Sequence, residues 1–327
     1  ADTTGFSTGF GDPMGYNSTF TVHALPSIDD DGFDGFEQPR VLFINDFGSR
    51  GGENEWYSSL NQIGMQLGTY YDVYHVNGPS SGVGNGIGGR AKDFLLSGYT
   101  DSLYTCGNLG VNTLSNGDFN NDAGDDIGTL TEWLDQGEKD LFLTGDDLAS
   151  DLEQAGSDAL FFLEDKMGVT VMTRNIRPFI GNQTSPRTTP SPGNPVFHYT
   201  DPLQSWIAYG GCPAINRFDG VNLFSTGQRL AEFEDPYGVG YTYSACTLNI
   251  LNPGPNQSRV ISLPYDLMYV HTDPTAPGHP FPARVQLLRD VLAYFNIVGD
   301  GDPSTVDDMP GVRFAVSQHP NPFNPGT

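Results

Sequence analysis

The residues best placed to do chemistry by spacing alone are carboxylates and amides in short glycine-bearing loops. Gly117-Asp118-Phe119-Asn120-Asn121-Asp122 sets oxygen donors at Asp118, Asn120 and Asp122, and such alternate positions converge on one Ca²⁺ when the chain turns sharply. The position where an EF-hand carries its closing acid is Thr129, so the loop is not an EF-hand. The competing reading is an Asp-rich loop that caps the helix after Asp126. Asp29, Asp31 and Asp34, with Asp30 among them, form a second candidate Ca²⁺ loop, and Asp300 with Asp302 a third.

Gly82, Gly84, Gly86, Gly88 and Gly89 space a loop that superficially suits phosphate. It lacks the strand–GxGxxG–helix setting and the P-loop Lys-Ser/Thr, so it reads as a turn-rich connection. The three cysteines, Cys106, Cys212 and Cys246, show no CxxC, haem or zinc spacing. Cys212 and Cys246 share a Gly- and aromatic-rich region and are the expected disulfide, leaving Cys106 single.

Charge narrows the partners. Forty acidic against 15 basic side chains give a formal charge of −25 over 327 residues. Such a surface repels nucleic acid and anionic lipid and attracts cations. No apolar run reaches membrane-spanning length, so membrane insertion is not expected. The start at Ala1 in a polar stretch fits a chain that has lost a signal peptide.

The elements that must position these residues follow an α/β rhythm. Arg40–Asp46 is a short apolar run entering a polar turn, as in a buried parallel strand. Trp56, Leu60, Ile63 and Leu67 keep a helical period that Gly68 ends. Tyr71–Val76 is the next strand, which completes a right-handed βαβ unit. Asp101–Cys106 and Asp140–Gly145 are further strands, with a helix over Thr129–Leu134 ending at Gly137. One long helix is predicted from Leu148 to Met167, with Gly156 its weak point. Arg259–Leu263 is a strand, Leu267–Val270 extends the sheet, and Val285, Leu288, Leu292 and Phe295 mark a closing helix.

The predicted architecture is a Rossmann-like or flavodoxin-like parallel sheet flanked by helices. It divides into an extended N-terminal arm (1–38), with a strand at Ser18–Leu25 and a loop at Asp29–Gly35, and the first part of the α/β domain (39–177). A β-rich insertion (178–258), the completion of the domain (259–298) and an acidic linker with a tail (299–327) follow. The insertion is rich in aromatic, Gly and Asn residues, which suit small cores under loops and also contact surfaces, including carbohydrate faces.

Arg40–Phe47, Thr129–Gly137, Lys139–Leu148 and Val285–Ile297 resemble the glutamine-amidotransferase-like domains of large secreted bacterial proteins. The resemblance extends over 40–176 and 259–297 and implies a site. Active members set a Cys on a Gly-x-Cys-x-Gly turn and pair it with a late His-x-Glu. Here Cys106 would be the nucleophile, His271 its base and Asp273 the group that orients the base. The departures are Tyr104 in place of the first Gly, Asp273 in place of Glu, and a polar loop instead of a helix after Cys106.

Phe314–Pro325, with its Pro320-Asn321-Pro322-Phe323-Asn324-Pro325 phrase, resembles the opening of the sorting domains of type IX-secreted proteins. That likeness implies export through the outer membrane and an extracellular or cell-surface location. Two functions from different classes then stand side by side. One is a non-catalytic structural or adhesive surface protein that self-associates through its arms into a filament or polymer. The other is a secreted cysteine hydrolase using Cys106, His271 and Asp273, which requires the first two within hydrogen-bond reach in an open pocket.

Overall fold

The structure is a computed structural model that describes residues 24–30, 36–48, 50–76, 86–116, 124–197, 205–209, 218–237, 243–276, 281–298 and 312–314. Along the chain come β1 (Asp29–Asp30), β2 (Phe36–Gln38), β3 (Val41–Asn45), α1 (Glu53–Ile63), β4 (Tyr71–His75), α2 (Ile87–Arg90) and α3 (Lys92–Ser97). Then follow β5 (Asp101–Thr105), α4 (Asp126–Asp135), β6 (Asp140–Thr144), α5 (Leu148–Leu152), α6 (Ser157–Phe161) and β7 (Val169–Thr173). The rest are β8 (Arg187–Pro190), β9 (Trp206–Ala208), β10 (Gly220–Leu223), β11 (Gln228–Phe233), β12 (Tyr243–Leu251), β13 (Ser258–Leu263), β14 (Val270–Thr272), α7 (Ala283–Tyr294) and β15 (Val312–Phe314).

Five strands are parallel, in the order β4-β3-β5-β6-β13. Numbered among themselves these are 2-1-3-4-5, the flavodoxin-like order, so the α/β class expected from the sequence is the one observed. Both faces of this core are covered, which is why β3 reads as an unbroken apolar run. Val41 and Phe43 face the cluster that holds Trp56 and Leu60 of α1 and Leu288 and Leu292 of α7. Leu42 and Ile44 face the cluster of Leu130, Trp133 and Leu134 of α4. The Trp56 ring stacks on Phe43 at 5.0 Å and meets Phe142 of β6 at 6.0 Å. Each such fully buried side chain contributes roughly 1.5–3 kcal/mol.

The strands between 187 and 251 extend the same sheet. β12 runs antiparallel to β13, and β11, β8, β9 and β14 continue outward from it. β10 pairs with β7 and touches β12. A separate three-stranded sheet joins segments from the first and last parts of the chain: β2 lies between β1 and β15, with Phe314 opposite Phe36. The edge at the start of the parallel strands is latched by charge. Arg259 grips Asp140 with two nitrogens and lies over the Tyr294 ring at 4.9 Å, while Arg40 pairs with Asp101 at 2.6 Å.

Several boundaries depart from the sequence reading. α1 stops at Ile63, because Gly64 takes φ 94° and the Met65 amide closes back on Leu60. Leu67 therefore lies outside the helix and is 54% exposed. The long helix predicted over 148–167 is broken at Gly156, whose φ of 116° no helix accommodates. Its second half widens into a π turn over Phe162–Lys166 that buries Phe162 and Leu163. Leu267–Tyr269 is a 3₁₀ turn and not sheet, and Asp29–Asp30 pairs as a strand where a loop was expected. The predicted strand at Ser18–Leu25 lies, apart from Ala24 and Leu25, outside the described residues. Among the described residues no helix is long and apolar enough to cross a membrane.

Candidate functional site

In a sheet of this order ligands bind beyond the carboxyl ends of the strands, at the switch point between the first and third. Here that point lies between β3 and β5, and Asp46 and Cys106 occupy it. β6 contributes Asp146 and β13 leads to Asp266, so each core strand except β4 ends close to an acid or the thiol.

Cys106 sits in a closed corner. Its amide donates to the Thr144 carbonyl at 2.8 Å, which extends the β5–β6 ladder by one residue. A Cβ on Gly145 would lie 2.8 Å from the Cys106 Cβ, and one on Gly107 would lie 2.8 Å from the Phe47 ring. These close approaches leave Cys106 with 0% exposure. Burial pushes the thiol well above its ordinary pKa, and the charges of Asp46, Asp151 and Asp266 push it further, against the Arg50 guanidinium. A thiol so placed stays protonated, and the thiolate is the nucleophilic form.

The acids around it are held by the fold. Asp266 accepts from Met268 N at 2.8 Å, Thr144 Oγ1 at 2.8 Å, Trp56 Nε1 at 3.3 Å and Thr105 Oγ1. Burial raises its pKa against those four donors. Burial, then the Asp266 and Asp147 charges, raise Asp146 well above the carboxylate range, although the Asp266 amide and the Tyr269 hydroxyl bond to it. Arg50 donates to the Asp46 carbonyl and, at 3.4 Å, to that of Cys106. The corner binds its own chain together, and burial disfavours the ionised forms of its thiol and of Asp146 and Asp266.

The other two members of the implied triad engage different partners. His271 lies on β14, opposite Ile207 of β9, and six strands separate β14 from β5 in the sheet order. Its ring meets Tyr209 edge-on at 5.7 Å, and partial burial and the Arg284 charge hold its pKa below the histidine range. Asp273 forms an ion pair with Arg187 at 2.6 Å and accepts from Ser205 Oγ at 2.7 Å and Thr275 N at 2.8 Å. Burial raises its pKa, but the bonds from Thr275, Ser205 and Arg187 outweigh that and hold it well below the usual range. Among their described interactions, none of the three residues bonds another.

Asp118, Asn120, Asp122, Asp31 and Asp34, candidate Ca²⁺ ligands, lie outside the described residues, while Asp29 pairs with Glu37 through β1 and β2. Among the described residues no cluster of three His, Cys, Asp or Glu side chains could hold a metal ion. Cys246 is a free, wholly buried thiol on β12, and burial raises its pKa. The expected bridge from Cys246 is therefore absent; Cys212 lies outside the described residues.

The glycine-spaced loop has a structural use that the sequence did not reveal. Asp126, at the start of α4, accepts from Ser115 Oγ and Gly88 N at 2.8 Å, Tyr104 Oη at 3.0 Å and Ile87 N at 3.3 Å. A Cβ on Gly86 would lie 2.2 Å from the Asp126 carboxylate, and one on Gly88 2.3 Å from the Asp125 carbonyl carbon. These glycines let the backbone close over an acid, which opposes phosphate binding by the same amides. Asp125 caps the helix by accepting from Gly128 N at 2.7 Å, in keeping with the capping alternative for this loop.

No family model matches the chain, and neither does any curated protein. Among solved structures it is similar to a carbohydrate deacetylase, Agd3, with TM-score 0.40 and 10% identity over 71% of this chain and 29% of that one. The chain thus spans under a third of that protein's length. It is also similar to the glutaminase domain of Trypanosoma brucei CTPS, with TM-score 0.40 and 11% identity over 79% of this chain and 94% of that domain.

Proposed function

We propose that the chain is a non-catalytic extracellular protein of structural or adhesive type, built on a domain that resembles the glutamine amidotransferases and lacks their working site. The observation that carries this reading is the state of Cys106. It has no exposed surface, stands among carboxylates, and is bonded to neither His271 nor Asp273 among its described contacts. A hydrolase of the amidase type needs the opposite: an open thiolate beside an imidazole.

The PNPFNP phrase supports export and display on the cell surface, or release from it. The small β1-β2-β15 sheet, where segments near both ends meet, is the place from which self-association would proceed. Ca²⁺ in the Asp118–Asp122 loop is part of the proposal, since loops of that spacing suit an oxygen-seeking cation.

Electron microscopy of the native protein, with and without a Ca²⁺ chelator, tests the assembly. Ordered filaments or sheets support the reading, and their loss on chelation assigns Ca²⁺ to the contacts. Single particles at all concentrations and Ca²⁺ levels contradict it.

A further inference from the structure

Two proline–aromatic pairs stand exposed around one glycine. Pro178-Phe179 belongs to the 3₁₀ turn Arg177–Ile180, and Pro236-Tyr237 follows β11. Gly181 ends the turn with φ 77°, and a Cβ there would meet Pro236 at 2.9 Å and the Tyr237 hydroxyl at 3.5 Å. Phe179 is 47% exposed and Tyr237 63% exposed.

The turns that carry the rings are held in place. The Phe179 ring meets Tyr243 of β12 edge-on at 6.2 Å. Its turn is closed by Asn182 N to Arg177 O at 2.8 Å, and by Arg177 Nε to Gln183 O at 2.9 Å. The Tyr237 backbone is fixed by its amide, which donates to Asp235 Oδ1 at 2.8 Å, and by the proline before it. Aromatic side chains presented on rigid turns lose little entropy when they bind.

We infer that Phe179 and Tyr237 form a stacking platform for a neutral polysaccharide. Size argues for a sugar: at these exposures the two rings offer on the order of 200 Å². A stable protein partner needs about 800 Å² from each side. Chemistry argues the same way. An aromatic face packs against the C–H face of a pyranose, and Asn182, next to Gly181 in sequence, is exposed and carries an amide able to bond hydroxyls. A protein of charge −25 repels polyanionic glycans. The platform deepens the adhesive reading proposed above and rests on it.

Affinity electrophoresis of the full chain in gels containing hydroxyethyl cellulose, laminarin or galactomannan tests this. The expected result is retardation by at least one of them, weakened about tenfold by Tyr237→Ala and by Phe179→Ala. Tyr237→Phe, which keeps the ring, should retain it. Tyr237→Ala should leave the urea midpoint in place, since that ring is mostly in solvent. No retardation by any of the three, or retardation unchanged in the double variant, overturns the inference. Neither result touches the non-catalytic reading, which the state of Cys106 tests separately.

Discussion

Trp56 donates its indole N–H to Asp266 over 3.3 Å, joining α1 to the turn after β13 and, through Thr105 and Thr144, to the ends of β5 and β6. One carboxylate thus ties the centre of the sheet to the helix that covers it.

Asp266→Ala should destabilise the protein by about 3–5 kcal/mol, because an indole, two hydroxyls and an amide lose their buried acceptor. Equilibrium urea unfolding measures it. A change under 1 kcal/mol would mean that the corner is open to water.

Gly88→Ala should cost about 1–3 kcal/mol, since the new methyl meets the Asp125 backbone at 2.3 Å. Gly51→Ala makes the contrasting case: nothing lies within 4 Å of its Cβ, so only its φ of 89° opposes the change. Thermal melts of the two variants separate contact from backbone strain.

Asp126 links stability to pH. Burial, against the bonds from Ser115, Gly88, Tyr104 and Ile87, raises its pKa from 3.8 to about 6. A folded pKa above the unfolded one means that the native state holds the proton more tightly. The contribution is full below about pH 4 and is lost as pH rises through about 6, roughly 3 kcal/mol in all. Urea unfolding from pH 4 to 7 should show this slope in the native protein and not in Asp126→Asn. Equal slopes in both would contradict it.

Arg187→Ala acts in the opposite direction. Asp273, held below the usual range by Thr275, Ser205 and Arg187, contributes stability above about pH 4 that is lost as pH falls through its folded pKa. Removing Arg187 should raise the Asp273 pKa and move its acid transition upward, read by carboxyl NMR titration. An unmoved transition would exclude the ion pair as a cause.

The parallel core was legible because burial on both faces leaves Val41–Ile44, Leu141–Leu143 and Val260–Leu263 as plain apolar runs. Helix ends were less so: Gly64 and Gly68 are equally able to cap, and only the Met65–Leu60 bond decides between them. The acids around Cys106 were missed because they lie far apart in sequence. Their common signal was present all the same: Asp46, Asp146 and Asp266 each follow an apolar strand within three residues of its end. His271-Thr272-Asp273 was legible as a spacing, but the pairing of its strand β14 with β9, which spacing cannot convey, was not.

The most direct test of the non-catalytic reading is alkylation of the native protein by iodoacetamide at pH 7, with Cys106 followed by peptide mass spectrometry. The expected result is no modification of Cys106 until denaturant unfolds the chain, then full modification. Rapid labelling of Cys106 in the folded protein, slowed by His271→Ala, would contradict it and restore the cysteine hydrolase.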